Sequence, residues 1–329
     1  MNHYERVRAA LRCEPVDHPP YGFWTHFPLT DLDPAALAHE TIRFARELDL
    51  DFVKTMPNGQ FCTEDWGTVS DFSEIAQGGV AKILKAAIES PEDWLRIGRL
   101  DVRTGAFGRE LEHLRRVCDA LSNERPVLAT AFSPITIAQK LAGSAYRQHL
   151  ESHPELVKTA LANIAATLAD FVEAALDIGC CGIFFATQES STRVISEANY
   201  REFGVPYDEV VIESAQTGWF NVIHMHGEDV MFELLKGYSV TALNWHIGET
   251  APLLSDYAKT PGRKPVLGGL RRTAITEMHL DAIVEDIGNA LAATGGRGLL
   301  FGPGCVIRHP VNHDFLKRVI DKLNRSPVS

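Results

Sequence analysis

No two cysteines in this sequence have the CxxC spacing, and the six present are scattered over 329 residues. That excludes a disulfide-dense scaffold and a four-cysteine zinc module. It points to a reducing, cytoplasmic setting. No uninterrupted run of eighteen apolar residues occurs, so no membrane-spanning segment is expected. The opening stretch MNHYERVRAALRCEP carries charges throughout and lacks the apolar centre of a signal peptide. Positive charge is not in excess either. The net charge is −11, which argues against nucleic acid or an anionic membrane as a partner. A small anionic molecule held by a local arginine remains compatible with it. Neither GxGxxG nor GxxxxGK[ST] follows any apolar run, so nothing supports a dinucleotide fold or a P-loop. The chain shows no Pro/Ser-rich linker, internal repeat or low-complexity tract, and residues 1–329 read as one domain.

What the chain does contain is a regular alternation of short apolar runs and longer helical patterns. Strands are expected near residues 21, 51, 126, 182, 220, 240, 265 and 298. Helical sequence follows each, as in DPAALAHETIRFARELDL (33–50), where Asp33 is a natural N-cap and Pro34 sits at the first helical position. The longest helix, 153–179, should stop at Gly179. The runs are apolar almost without interruption, as in parallel strands covered on both faces. Eight such units predict an α/β fold, a single (β/α)8 TIM barrel, with the N-terminal amphipathic helix as an extension. An open doubly wound sheet is the rival architecture. Residues 57–87 read as one long irregular stretch, and a loop of that length in a compact domain usually has a function, here a lid or a partner surface.

In such barrels the working residues lie at the C-terminal ends of strands. Those ends carry Trp24 and His26, Lys54, Ser133, Gln188 and Glu189, His224 and His226, Asn244 and His246, Gly268 and Gly269, and Cys305. The pair in FNVIHMHGED (220–229) is notable because alternation points His224 and His226 to one side of a strand. With His246 on the next strand and Cys305 on the last, they make an N/N/N/S set suited to zinc. Plainer readings stand beside this one. A strand-end histidine is often just a satisfied polar residue, and Cys305 could be a small buried side chain. Gln188 and Glu189 could be solvated loop residues. Trp24 fits a core or a pocket wall, and Cys180–Cys181 fits helix-to-strand packing.

Several segments together resemble the uroporphyrinogen decarboxylase superfamily, which includes zinc-dependent methyltransferases that act with corrinoid proteins. FSPITIAQKLAG is similar to its Gly-x-Pro-Phe-Thr segment. GIFFATQESSTRVISEANYREFGVPY is similar to its Phe-Asp-Ser-Trp…Tyr-x-x-Phe…Pro-Tyr segment. HMHGED stands at its His-x-Cys-Gly run, ALNWHIGET and VLGGL at its Leu-Asp-Trp and Gln-Gly-Asn-Leu stretches, and FGPGCVIRHP at its Gly-Cys-Gly-Ile ending. The resemblance implies a (β/α)8 barrel. It departs from the true decarboxylases in three places: GFWTHFPLT lacks the arginines of their N-terminal segment, DFVKTMPNG has no clear match to their aspartate, and Cys305 replaces their late histidine.

The resemblance to the methyltransferase branch implies zinc ligands at His224, His226 and Cys305, with His226 in place of a cysteine and His246 near a carboxylate position. It further implies a methyl group moving between a small-molecule substrate and a corrinoid or thiol acceptor, the cobalamin being carried by a separate corrinoid protein. Trp24, Asn244, Gln188, Glu189 and His26 would line the pocket, with Glu189 as a general acid or base. Arg271, after the seventh strand, would lie near the mouth and help to bind a cofactor. Barrels of this type are often dimers, so a homodimer is also expected, though no interface signal marks it. The alternatives are a decarboxylase acting on a smaller carboxylic substrate, with Lys54, Arg271 and Arg272 as cations, and a non-catalytic metal- or corrinoid-binding module.

Overall fold

The computed structural model describes residues 1–28, 30–75 and 81–326. Among the described residues nine strands occur: β1 (Val53–Lys54), β2 (Val69–Asp71), β3 (Lys82–Lys85), β4 (Val127–Phe132), β5 (Gly182–Thr187), β6 (Val222–Met225), β7 (Ala242–Trp245), β8 (Val266–Leu270) and β9 (Leu299–Pro303). Seven of them form one parallel sheet in the order β1-β4-β5-β6-β7-β8-β9. An extended segment at residues 20–25 closes the ring. Gly22 N–H donates to Phe301 O at 2.9 Å and Phe301 N–H to Pro20 O at 2.7 Å on the β9 side. Asp51 N–H donates to Tyr21 O at 2.9 Å on the β1 side. The strand expected near residue 21 is therefore the eighth stave, held by isolated parallel bridges such as Tyr21 to Phe301. Its start at Pro19-Pro20 supplies no N–H to a ladder.

Alternation sorts each strand between two apolar layers. Leu128, Phe184, Val222, Ala242, Leu267 and Leu300 cluster with Phe52, Phe220, Val7 and Ala10 inside the barrel. Their neighbours Ile183, Phe185, Ile223, Leu243 and Leu299 pack outward with the surrounding helices. The helix His3–Leu11 plugs the N-terminal end of the barrel. Its first turn is closed by a capping box between Asn2 and Glu5. It is pinned by Arg6, whose guanidinium meets Asp17 at 2.7 Å and the buried Asp51.

The helix Pro154–Ile178 runs as the sequence indicates and ends at Gly179, whose φ of +118° only glycine adopts at low cost. By length and composition it could cross a membrane, yet half of its apolar window is buried within the fold. Three stretches depart from expectation. Residues 57–87 are not uniformly irregular: they hold a short helix, Phe61–Glu64, and the antiparallel hairpin β2–β3. Every residue of β3 is exposed, so its Ile83 and Leu84 carry no burial periodicity to read. A separate helix, Ala145–Ser152, precedes the long one. After β6 and β7 the helices shrink to Phe232–Leu235 and Leu254–Tyr257.

Candidate metal centre

The inward positions of β6 and β7 continue past the apolar layer into polar residues. Val222 is followed two residues on by His224 and then His226, and Ala242 by Asn244 and then His246. The parallel register sets His224 directly beside Asn244. Cys305 arrives from the end of β9. That requires Gly304, because a Cβ there would lie 2.9 Å from His246 Cα and 3.0 Å from Trp245 O. The result is one cluster in which a ligand atom from each of His224, His226, His246 and Cys305 lies within 4.8 Å of all the others. Cys305 Sγ is 3.5 Å from His226 Nδ1. His224, His246 and Cys305 are each 5% exposed, so the cluster is largely desolvated.

Supporting hydrogen bonds fix which nitrogens face the centre. Asn244 Nδ2 donates to Leu267 O at 2.7 Å and to Pro303 O at 3.2 Å. Its Oδ1 is thereby turned to His224 Nδ1. His224 then carries its proton on Nδ1 and presents the Nε2 lone pair. His246 Nδ1 lies 3.3 Å from Glu249 Oε2, the carboxylate–histidine arrangement that orients metal ligands. Burial opposes ionisation of Cys305, but hydrogen bonds and charge from His224, and hydrogen bonds from His226 and His246, outweigh it and hold the thiol well below its usual range. Burial lowers His246, yet Cys305 and Glu249 together push it up to about 9. Burial keeps His224 below the ordinary histidine value.

This donor set fits zinc. Three imidazoles and a thiolate match its preferred nitrogen and sulfur ligands, and four donor atoms within 4.8 Å of one another could share one ion. Asn244→Leu is expected to weaken zinc binding by roughly 10–100-fold while leaving all four ligands in place. Competition with a chromogenic chelator measures this, and an unchanged affinity would contradict the orienting role.

A cavity of about 640 Å³ opens at the same end of the barrel as the cluster, none of whose four residues lines it. His26, Asp31, Asn58, Lys140, Arg272 and Arg308 are among its walls, together with Val306, the residue after Cys305. Burial and the charges of Lys54 and Lys140 push His26 down to about 4, so it is neutral. The other expected site residues fall differently. Trp24 is 2% exposed, packed edge-on to Phe184 inside the barrel. Asn244 stands behind His224 rather than in the cavity. The Gln188 N–H donates to Thr136 Oγ1 at 2.9 Å. Glu189 is buried, accepts from Tyr146 Oη at 3.0 Å, and is pushed up by burial; it lies outside the cavity walls. Arg271 turns to the helix Leu280–Thr294, pairing with Asp286 at 2.8 Å and Glu285 at 3.2 Å, and its neighbour Arg272 faces the cavity instead.

Sequence reasoning missed Glu249, although its place three residues after His246 was a readable signal. It also missed Asp208, fully buried and accepting from Ser133, Tyr200 and Tyr238, which ties the end of β4 to the helices behind it.

Lys54 points into the barrel interior with Nζ 4.9 Å from the centre of the Phe184 ring, whose plane also stacks on His224. Among the described residues it has no carboxylate partner. Burial pushes it down to about 7, against about 10.4 in an unfolded chain. Between those values the unfolded chain binds more protons, so this lysine's contribution to stability is lowest below about pH 7 and rises towards about pH 10. Lys54→Met should therefore stabilise the protein at about pH 6 and lose that advantage by about pH 10. Denaturant unfolding checks this, and a pH-independent difference would contradict it.

A model of the uroporphyrinogen decarboxylase (URO-D) family matches residues 2–325. The methylcobamide:CoM methyltransferase MtbA of Methanosarcina mazei is 21% identical over 132 residues, 40% of this chain and 39% of that protein. Its counterpart from Methanosarcina acetivorans is 20% identical over the same shares. The match thus spans about two fifths of the length of these curated relatives. Among solved structures, a methyltransferase from Methanosarcina mazei superposes with a TM-score of 0.82 over 98% of both chains, at 15% identity. A B12-independent methionine synthase from a Shewanella species gives 0.58, covering 94% of this chain and 92% of that one, at 13% identity. At these identities the structural likeness speaks for the fold.

Proposed function

The chain belongs to the uroporphyrinogen decarboxylase family, and within it we propose that it is a zinc-dependent methyltransferase, moving a methyl group from a corrinoid carried by a separate protein to a small thiol substrate. The observation that carries this reading is the cluster of His224, His226, His246 and Cys305 at the same end of the barrel as a cavity able to admit a small molecule. The curated relatives named as methylcobamide:CoM methyltransferases support it.

Bound zinc would keep a substrate thiol deprotonated at neutral pH. His224 and His246, each oriented by its own partner, and Cys305 form the fixed part of the site. His226 is half-buried and its ring faces Cys305. It is the member able to yield its place to a substrate sulfur, giving the open position that catalytic zinc sites keep. One thiolate among neutral imidazoles leaves the site with net positive charge, which favours binding a second thiolate. The barrel's apolar interior closes the site from below and limits water there. In the transfer the thiolate lone pair forms the S–C bond, and the Co–C bond breaks with its electron pair left on cobalt.

The zinc-loaded protein, given methylcobalamin and a panel of small thiols, should show loss of the methylcobalamin absorbance together with a methylated thiol. His224→Ala should not. Release of CO2 from carboxylic acids, with no zinc-dependent methyl transfer to any thiol, would overturn the reading in favour of decarboxylation.

A further inference from the structure

The cavity at the metal-cluster end of the barrel has two kinds of unmatched charge. Asp31 is 6% exposed and forms part of the wall, yet among the described residues its Oδ1 meets no hydrogen-bond donor. The cation whose charge it feels, Arg109, is already engaged with Glu64 at 2.7 Å. A buried acceptor left without a donor is destabilising, so an occupant able to supply one is favoured. Burial pushes the Asp31 carboxyl up to about 6, which still leaves most of it charged at neutral pH. The same cavity holds Lys140, Arg272 and Arg308. None of the three is ion-paired among the described residues. Lys140 donates to Gly59 O at 2.7 Å, a neutral partner. In a protein of net charge −11, three cations without an ion partner and one carboxylate oxygen without a donor line the same cavity and make it a dipolar container.

We infer that this cavity takes a small zwitterion, with Asp31 receiving its ammonium group and Lys140, Arg272 and Arg308 holding its oxyanion. An ammonium supplies the donor that Oδ1 lacks, in a charge-assisted hydrogen bond. A plain anion would satisfy the cations and leave Asp31 both unpartnered and repelled, so Asp31 is the residue that discriminates between the two classes. The inference builds on reading this cavity as the substrate site of the proposed methyltransferase.

Calorimetric titration of the full chain with ω-amino acids from glycine to 6-aminohexanoate, each beside its deamino acid from acetate to hexanoate, tests it. Because the readout is binding without methyl transfer, failure of the transfer assay and failure of this series are distinguishable. At least one amino acid should bind tenfold or more tightly than its deamino partner. Asp31→Asn should erase that preference, and Asp31→Glu should keep part of it. Asp31→Asn removes an unpartnered buried charge and should melt no lower than wild type, and its retained binding of the deamino acids would show an intact cavity. Equal or tighter binding of the deamino acids, no binding by any member of the series at about 10 mM, or a preference that survives in Asp31→Asn would each overturn the inference.

Discussion

Cys305→Ala is expected to lower zinc affinity by more than about 100-fold and to abolish methyl transfer. Cys305 would be the one anionic ligand in the cluster, and its sulfur lies within 4.8 Å of a nitrogen from each of the three imidazoles. Removing it leaves three neutral donors, and the charge balance that draws the ion into a desolvated pocket is lost. The loss should exceed the roughly 10–100-fold typical of a missing supporting partner. His226→Ala should cost less than Cys305→Ala, because His224 and His246 each keep an orienting hydrogen bond without it. Chelator competition on the two variants distinguishes them. Equal losses would mean that His226 is a fixed ligand, and an unchanged affinity in Cys305→Ala would remove the thiolate from the site altogether.

At the opposite end of the barrel, Arg6→Ala is expected to cost about 3–5 kcal/mol of stability, the usual consequence of leaving one partner of a buried ion pair alone. Arg6 is 8% exposed and Asp51 is 1% exposed. Asp51 also accepts from Tyr21 N–H at 2.9 Å and lies 2.9 Å from His3 Nδ1. One carboxylate therefore joins the N-terminal plug helix, the eighth stave and the approach to β1. Losing Arg6 leaves that carboxylate in the core with Tyr21 N–H and His3 as partners but without its permanent positive charge. Urea unfolding measures the change, and a loss under about 1 kcal/mol would show that the plug is held by its apolar face alone. The metal cluster is at the far end, so zinc affinity of the folded variant should be unaltered.

The barrel was legible because its strands obey one rule throughout: alternate residues enter the interior layer, and those between them face the helices. The same rule exposed His224 and His226 as same-side neighbours, and Cys305 was marked by its Gly-Pro-Gly approach. What escaped was whatever depends on which residue stands behind another. Asn244 reads as a pocket residue in sequence, but the β6–β7 register makes it the partner of His224. Arg271 and Arg272 differ by one position at a helix start, where successive side chains diverge by about 100°, and only the second faces the cavity. Asp31 gave no signal at all, since an aspartate in a polar turn is ordinary until its burial is known. The β2–β3 hairpin was hidden for the converse reason: its apolar residues are exposed and follow no core periodicity.

The most direct measurement of the central claim is elemental analysis of the purified protein combined with X-ray absorption at the zinc edge. One zinc per chain, with a single sulfur and the remaining ligands nitrogen or oxygen, is the result this site predicts. A chain that holds no zinc and takes up none on reconstitution, or a bound zinc with no sulfur neighbour, would contradict it.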